Sequence, residues 1–345
     1  MKKIVALVLL AAMFLSLAAC GDDRETIKVY NWGDYIAPGV IDKFEEETGI
    51  RVIYEMFETN EDMYTKIKNS NNAYDVIIPS DYMIERMIAE GLLSEIDMAS
   101  ITNYGNIDGE YKNLSFDPEN KYSVPYTWGT VGILYNKTMV SEAPTSWGAL
   151  WDEQYKDNII MMNSQRDAIG VTLKYLGYSL NTLDSAQLNA AKEKLIEQEP
   201  LVLAWVVDEV KDKMIGGEAA LALVYAGDAV YCKSENPDLE YAIPSEGSNI
   251  FFDSMCIPVN CGNKAGAEKF IDFMCRADIA AENAGYIGYS SPSTPARDLM
   301  GDAGKDPTAY PDITKYDLEI FSSLGDKTKI YDELWTEIIT VRGMA

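Results

Sequence analysis

The 345-residue sequence contains no histidine. That removes the usual general base of serine and cysteine nucleophile systems and the commonest zinc ligand. Cysteine is sparse: Cys20, Cys232, Cys256, Cys261 and Cys275 form no C-x-x-C pair, so metal binding is a weak idea and no cofactor is expected. The four later cysteines are compatible with a disulfide in an exported protein or with buried thiols. Positive charge is also scarce, with 29 Lys and Arg against 55 Asp and Glu and a formal net charge of −26. Such a chain repels a phosphate backbone, which argues against nucleic acid as a partner. The same field favours cationic solutes and keeps the protein soluble. Internal repeats and low-complexity segments are missing as well.

The one long apolar run lies at the start. Lys2-Lys3, Ile4 to Leu17 and Leu17-Ala-Ala-Cys20 have the charged, hydrophobic and small-residue parts of a secretion signal, and the run is too short to span a membrane. The small residues directly before Cys20 resemble a bacterial lipoprotein lipobox, which implies cleavage before Cys20 and acylation of its thiol. Residues 1–19 are therefore predicted as a leader, 20–25 as a polar tether, and the protein as lipid-anchored on the outer face of the cell membrane. The remaining chain exceeds what one core usually supports, so two domains are expected.

From Thr26 onward, short apolar runs alternate with helix-like stretches, the pattern of βαβ construction. Strands are predicted around Ile27 to Tyr30, Ile50 to Tyr54, Tyr74 to Pro79, Asn158 to Met162, Leu201 to Val206 and Glu218 to Tyr225. Helices are predicted for Pro38 to Thr48, Asn60 to Asn69, Met83 to Glu90, Ile169 to Leu176, Asp184 to Glu197, Lys211 to Gly217 and Lys264 to Met274, with a further one starting in Pro144 to Trp151. Ser123 to Gly129 and Thr130 to Tyr135 read as two extended segments crossing between domains, and Ile250 to Pro258 as a second crossing. Asn163 to Asp167 reads as a loop, and Ala226-Gly227-Asp228 as a glycine turn ending in an acid.

Ligands in open α/β sheets sit outside the carboxyl ends of the strands. At those ends this sequence repeatedly places an acid beside an aromatic: Trp32, Asp34 and Tyr35; Ser80, Asp81 and Tyr82; Tyr225 and Asp228. Asp253, inside the apolar run Ile250 to Pro258, is expensive to bury without a cation or several donors. Singly, Asp34 and Asp167 also fit helix caps, Asp228 a turn-stabilising acid, and Trp32, Tyr225, Phe251 and Tyr289 ordinary packing. The recurrence points to a small organic cation.

Tyr30-Asn-Trp with Asp34-Tyr35, Glu47 to Tyr54, Tyr74 to Ser80, Tyr126-Thr-Trp-Gly129, Val224 to Asp228, Asp253-Ser254 and Ile287-Gly-Tyr289 together resemble the spermidine/putrescine-binding proteins of bacterial polyamine ABC transporters. The resemblance implies an α/β, two-lobed periplasmic-binding-protein-like fold of type II, with discontinuous lobes (26–127 and 251–300; 128–250 and 301–345) closing like a hinge. It implies a solute receptor rather than an enzyme, monomeric, that delivers putrescine or spermidine to an ABC permease. The first lobe would bring Trp32, Asp34, Tyr35, Ser80 and Tyr82 to the site, and the second Ser164, Asp167, Tyr225 and Asp228. Phe251, Asp253 and Tyr289 would lie near the crossings. Asn163-Ser164 stands where spermidine-binding members usually carry another carboxylate, and Tyr225 and Phe251 where they carry tryptophans. An exported glycoside hydrolase, or a sugar or betaine receptor of the same fold, is the competing reading, because paired carboxylates flanked by aromatics also fit a sugar.

Overall fold

A computed structural model describes residues 24–69 and 74–343. The leader, Cys20 and most of the tether lie outside the described residues. Among the described residues ten strands follow one another: β1 (Thr26–Trp32), β2 (Arg51–Phe57), β3 (Val76–Ile77), β4 (Ser123–Asn136), β5 (Ile159–Met162), β6 (Val202–Val206), β7 (Leu221–Tyr225), β8 (Leu239–Ala242), β9 (Ser248–Cys256) and β10 (Leu318–Glu319). Hydrogen bonding orders them β2-β1-β3-β9-β4-β7-β5-β6, with β8 beside β4 and β10 beside β9.

The two expected segments at 123–135 are one strand of 14 residues, buried throughout. The sequence is rich in β-branched and aromatic residues, and the chain absorbs Pro125, which has no N–H to give, as a register shift between Pro125 and Thr127. The first half of β4 runs antiparallel to β9, from Ser123 opposite Cys256 to Thr130 opposite Ile250. Its second half pairs with β7 and β8. β4 and β9 thus belong to both halves of the molecule.

Two hydrophobic cores flank this pair. The first gathers Ile27, Val29, Phe44, Ile77, Trp128, Ile250, Phe252 and Phe270. The second gathers Val131, Ile133, Trp147, Ile159, Leu223, Phe251 and Tyr331. Successive side chains of a strand face opposite ways, so Ile250 and Phe252 enter one core while Phe251 enters the other. Each fully buried aromatic or aliphatic side chain contributes about 1.5–3 kcal/mol. The stretch 301–345, expected wholly in the second lobe, is divided: Tyr310, Ile313, Leu318 and Ile320 pack on the first core and Leu324, Tyr331 and Leu334 in the second. The chain therefore passes between the lobes a third time near residues 320–324.

Other departures from the sequence reading have local causes. Pro144 to Trp151 forms only a short 3-10 turn, Trp147–Trp151, because Trp147 is drawn into the second core, where its Nε1 donates to Gly247 O at 2.8 Å. The helix expected from Ile169 starts at Gln165, so Asp167 stands in its first turn and not in a loop. Ala226-Gly227-Asp228 opens the helix Ala226–Glu235 instead of forming a turn. Cys232, Cys256, Cys261 and Cys275 are free thiols.

The entry into β4 is pinned by Asp117. Its buried carboxylate accepts from Lys121 N, Tyr122 N and Ser123 N and from the Ser123 hydroxyl, at 2.8–3.1 Å. Asp117→Ala leaves these donors unpaired in the interior and is expected to cost at least ~2 kcal/mol. Urea unfolding of the variant showing a loss under about 0.5 kcal/mol would overturn that assignment.

Candidate functional site

At the centre of the boundary between the cores lies Asp253. β9 presents it opposite Thr127 of β4, and it is 4% exposed. Oδ2 accepts the Tyr35 hydroxyl at 2.6 Å and Oδ1 accepts the Ser80 hydroxyl at 2.6 Å. Tyr35 lies 2.7 Å from Thr127 Oγ1; since the Tyr35 proton goes to Asp253, Thr127 is the donor in that contact. Asn60 Nδ2 in turn donates to both Ser80 Oγ and the Tyr82 hydroxyl, each at 3.1 Å. Every partner of Asp253 is neutral. Burial raises its pKa from 3.8 to about 6, the two hydroxyls lower it in part, and Asp167 across the boundary raises it further.

A second carboxylate comes from the other lobe. Asp167 Oδ2 accepts from Ser164 Oγ at 2.6 Å and from the Tyr225 hydroxyl at 2.7 Å. Burial lifts its pKa in spite of these donors. Asp228 occupies the first turn of the helix after β7, and its carboxylate, raised to about 6 by burial, is hydrogen-bonded by Tyr289. Asp167 and Asp228 both stand where strand gives way to helix, and a helix N-terminus favours negative charge by about 0.3–1 kcal/mol. Desolvation exceeds that contribution at both.

Rings join these acids. Tyr35 and Tyr289 meet edge to face at 5.1 Å, Phe251 lies 6.1 Å from Tyr289, and Tyr225 5.3 Å from Phe251. Two glycines admit this wall: a Cβ on Gly227 would come within 2.1 Å of the Tyr289 ring, and one on Gly129 within 2.7 Å of Phe251. That close approach, not a turn, explains glycine at 227.

The remaining expected residues are placed less centrally. Trp32 is partly buried against Phe57, with its Nε1 donating to Ile78 O at 2.9 Å. Tyr82 donates to Glu61 Oε1 at 3.0 Å. Asp34, in a positive-φ turn at +48°, has a side chain 80% exposed and lies 3.5 Å from Lys211 Nζ of the other lobe.

Three neighbours, Thr127, Arg166 and Lys211, escaped the sequence reading, and Asp81, noted there as an acid at a strand end, proves to be a structural acid. Thr127 and Asp81 are buried at the strand crossing, where Asp81 accepts the Phe252 N–H at 3.0 Å. Arg166, 6% exposed, sets its guanidinium 5.2, 4.4 and 5.3 Å from the rings of Tyr82, Phe321 and Tyr331. Lys211 meets Asp34 from 177 positions away. A helix start at Gln165 would have directed attention to Arg166; nothing local signals Lys211.

Two α/β lobes threaded by shared strands, with polar groups concentrated at their boundary, define a bilobal solute-binding protein. The chain belongs to the bacterial extracellular solute-binding proteins, whose family model matches residues 39–314. It is 39% identical over 339 residues to the spermidine/putrescine-binding periplasmic protein of Salmonella typhimurium, covering 96% of this chain and 97% of that one. A putative spermidine/putrescine ABC transporter structure from Listeria monocytogenes superposes with a TM-score of 0.88 at 43% identity, over 91% of this chain and 98% of that one. A spermidine/putrescine ABC transporter substrate-binding protein from Streptococcus pneumoniae gives 0.80 at 43% identity, over 92% and 99%. The type II periplasmic-binding-protein fold implied by the sequence is thus the fold of the molecule.

The Asp253 pKa carries a stability prediction. Between its ordinary value of 3.8 and the folded value of about 6, the unfolded chain gives up the proton more readily, so stability falls as pH rises through that window and the penalty is complete above it. Ligand-free Asp253→Asn is therefore expected to match wild type near pH 4 and to exceed it by up to ~3 kcal/mol at pH 8. Denaturation at the two pH values checks this. A variant that loses ground to wild type on going from pH 4 to pH 8 refutes it.

Proposed function

We propose that the protein is the solute receptor of a polyamine ABC importer, binding putrescine or spermidine between its lobes and closing on it as a hinge. The observation that carries this reading is Asp253: a buried carboxylate at the crossing of the lobes whose partners are all hydroxyls. A buried charge of this kind gains most from a cation that arrives with the ligand. Asp167 and Asp228 offer further anionic positions, and the rings of Tyr35, Tyr289, Phe251 and Tyr225 suit the methylenes between ammonium groups.

Cation–π attraction adds about 0.5–2 kcal/mol per ring. Three charge-assisted contacts of about 1.5–3 kcal/mol each, with that wall, reach the ~8 kcal/mol of a micromolar complex after ordering costs. Trp32, Asp34, Tyr82 and Ser164 complete the proposed site: Ser164 holds Asp167 in place, and the others border the cleft. The family and its named members are solute receptors, which favours this reading over a glycoside hydrolase. Acylation of Cys20, supported by the lipobox-like Leu17-Ala-Ala-Cys20, would tether the receptor to the membrane beside its permease. The receptor acts as a monomer, without a cofactor.

Calorimetric titration at pH 7.5 is expected to give one site per chain for putrescine or spermidine, and no heat with neutral sugars. Saturation at ~100 times the dissociation constant should add about 2.7 kcal/mol of stability. An ammonium favours the ionised acids, so binding expels protons near pH 6, and affinity should fall at least ~10-fold between pH 7.5 and pH 5. Sugar binding in place of amine binding overturns the assignment, and a flat profile from pH 5 to pH 8 overturns the role of Asp253 and Asp228.

A further inference from the structure

We infer that Lys211 is a resident cation of the cleft, occupying the position of one ligand ammonium and thereby biasing the site toward a diamine over a triamine. The inference rests on the polyamine reading above. Lys211 projects from the helix Val210–Ile215 of the second lobe, and its side chain is 18% exposed. Its Nζ lies 3.5 Å from Asp34 Oδ2 of the first lobe and 3.8 Å from Asp208 Oδ1. The charges of Lys211 and Asp228 also act on each other, each favouring the other's ionised form. One ammonium therefore already serves Asp34, Asp208 and Asp228.

The opposite end of the cleft is arranged differently. Arg166 stands next to Asp167 in sequence, but its guanidinium turns toward the Tyr82, Phe321 and Tyr331 rings and donates to Ser322 O at 3.2 Å and Asn181 Oδ1 at 3.1 Å. Asp253 is held by hydroxyls alone, and Asp167 by two hydroxyls and a backbone N–H, with Arg166 acting on it through space without an ion pair. Asp253 and Asp167 thus have no ion-pair partner among the described residues, and the other three acids share Lys211. A dication satisfies the first two. A trication brings a third ammonium toward Asp34 and Asp228, where it meets Lys211 as a like charge.

Holding the lobes together is not the main effect of this lysine. Asp34 is 80% exposed, and ion pairs so open to water are individually weak and easily screened. Its charge nevertheless acts on whatever enters between the same acids.

The test measures dissociation constants for putrescine and spermidine with the full chain, in wild type, Lys211→Met, Lys211→Gln and Lys211→Arg. Removing the charge is expected to shift the putrescine-to-spermidine affinity ratio toward spermidine by ~10-fold or more, as expected for one like charge a few ångströms away. Lys211→Arg, which keeps the charge, should restore the wild-type ratio. The second neutral variant guards against a folding defect peculiar to the first, and thermal denaturation reports on both. If wild type binds amines and neither neutral variant moves the ratio, the inference is overturned while the receptor reading stands. If wild type binds neither amine, the receptor reading falls and takes the inference with it.

Discussion

One buried carboxylate constrains the whole arrangement. Asp253 sits where two strands common to both lobes lie side by side, and burial opposes its ionisation. What keeps it tolerable is a pair of hydroxyls drawn from far apart in the sequence, Tyr35 after β1 and Ser80 after β3, with Thr127 of β4 donating to the Tyr35 oxygen in turn. Both donors must be delivered by strand ends at the same place. The parallel pairing of β1 with β3, and the antiparallel contact of β3 with β9 at Ile77 and Cys256, accomplish this. The sheet order therefore sets both donors beside the acid.

The same strands decide which lobe each ring serves. Because neighbours on β9 alternate faces, Phe251 can belong to the second core and to the aromatic wall while Phe252 anchors the first core. Any slip of one residue in β9 would exchange these faces and turn Asp253 away from Tyr35 and Ser80. Asp81 fixes that register from outside the sheet by accepting the Phe252 N–H. A fully buried acid thus holds in place the neighbouring strand from which Asp253 projects.

Much of this was legible in the sequence, and the failures have physical causes. Alternating apolar runs and helix periods located the strands and helices well; Asn60–Asn69 and Lys264–Met274 agree at both ends. Residues that carry the polar cluster, such as Asp253 and Tyr35, stand out because an acid in an apolar run or an aromatic at a strand end has an unsatisfied requirement that the sequence displays. Gly227 was misread as a turn because glycine signals a need for space without saying whether backbone or a neighbouring ring requires it; the ring of Tyr289 is 62 positions away. The division of 301–345 between the lobes, and the meeting of Lys211 with Asp34, depend wholly on tertiary placement. No local pattern encodes a charge pair between segments so distant.

The placement of the acids on different lobes bears on how solute and closure are coupled in the proposed receptor. Asp253 is held by residues of the first lobe, while Asp167 is held by Ser164 and Tyr225 of the second, and each carries a pKa raised by burial. Bringing the lobes together without a cation sets these like charges against each other in a poorly solvated space, where Coulomb energies are several times those in water. A cation lying between them reverses the sign of that term. The ligand then interacts more favourably with the closed arrangement than with the open one, which is the condition for a solute to shift a conformational equilibrium at all. A neutral solute of the same size could fill the aromatic wall but would leave the repulsion between Asp167 and Asp253 in place.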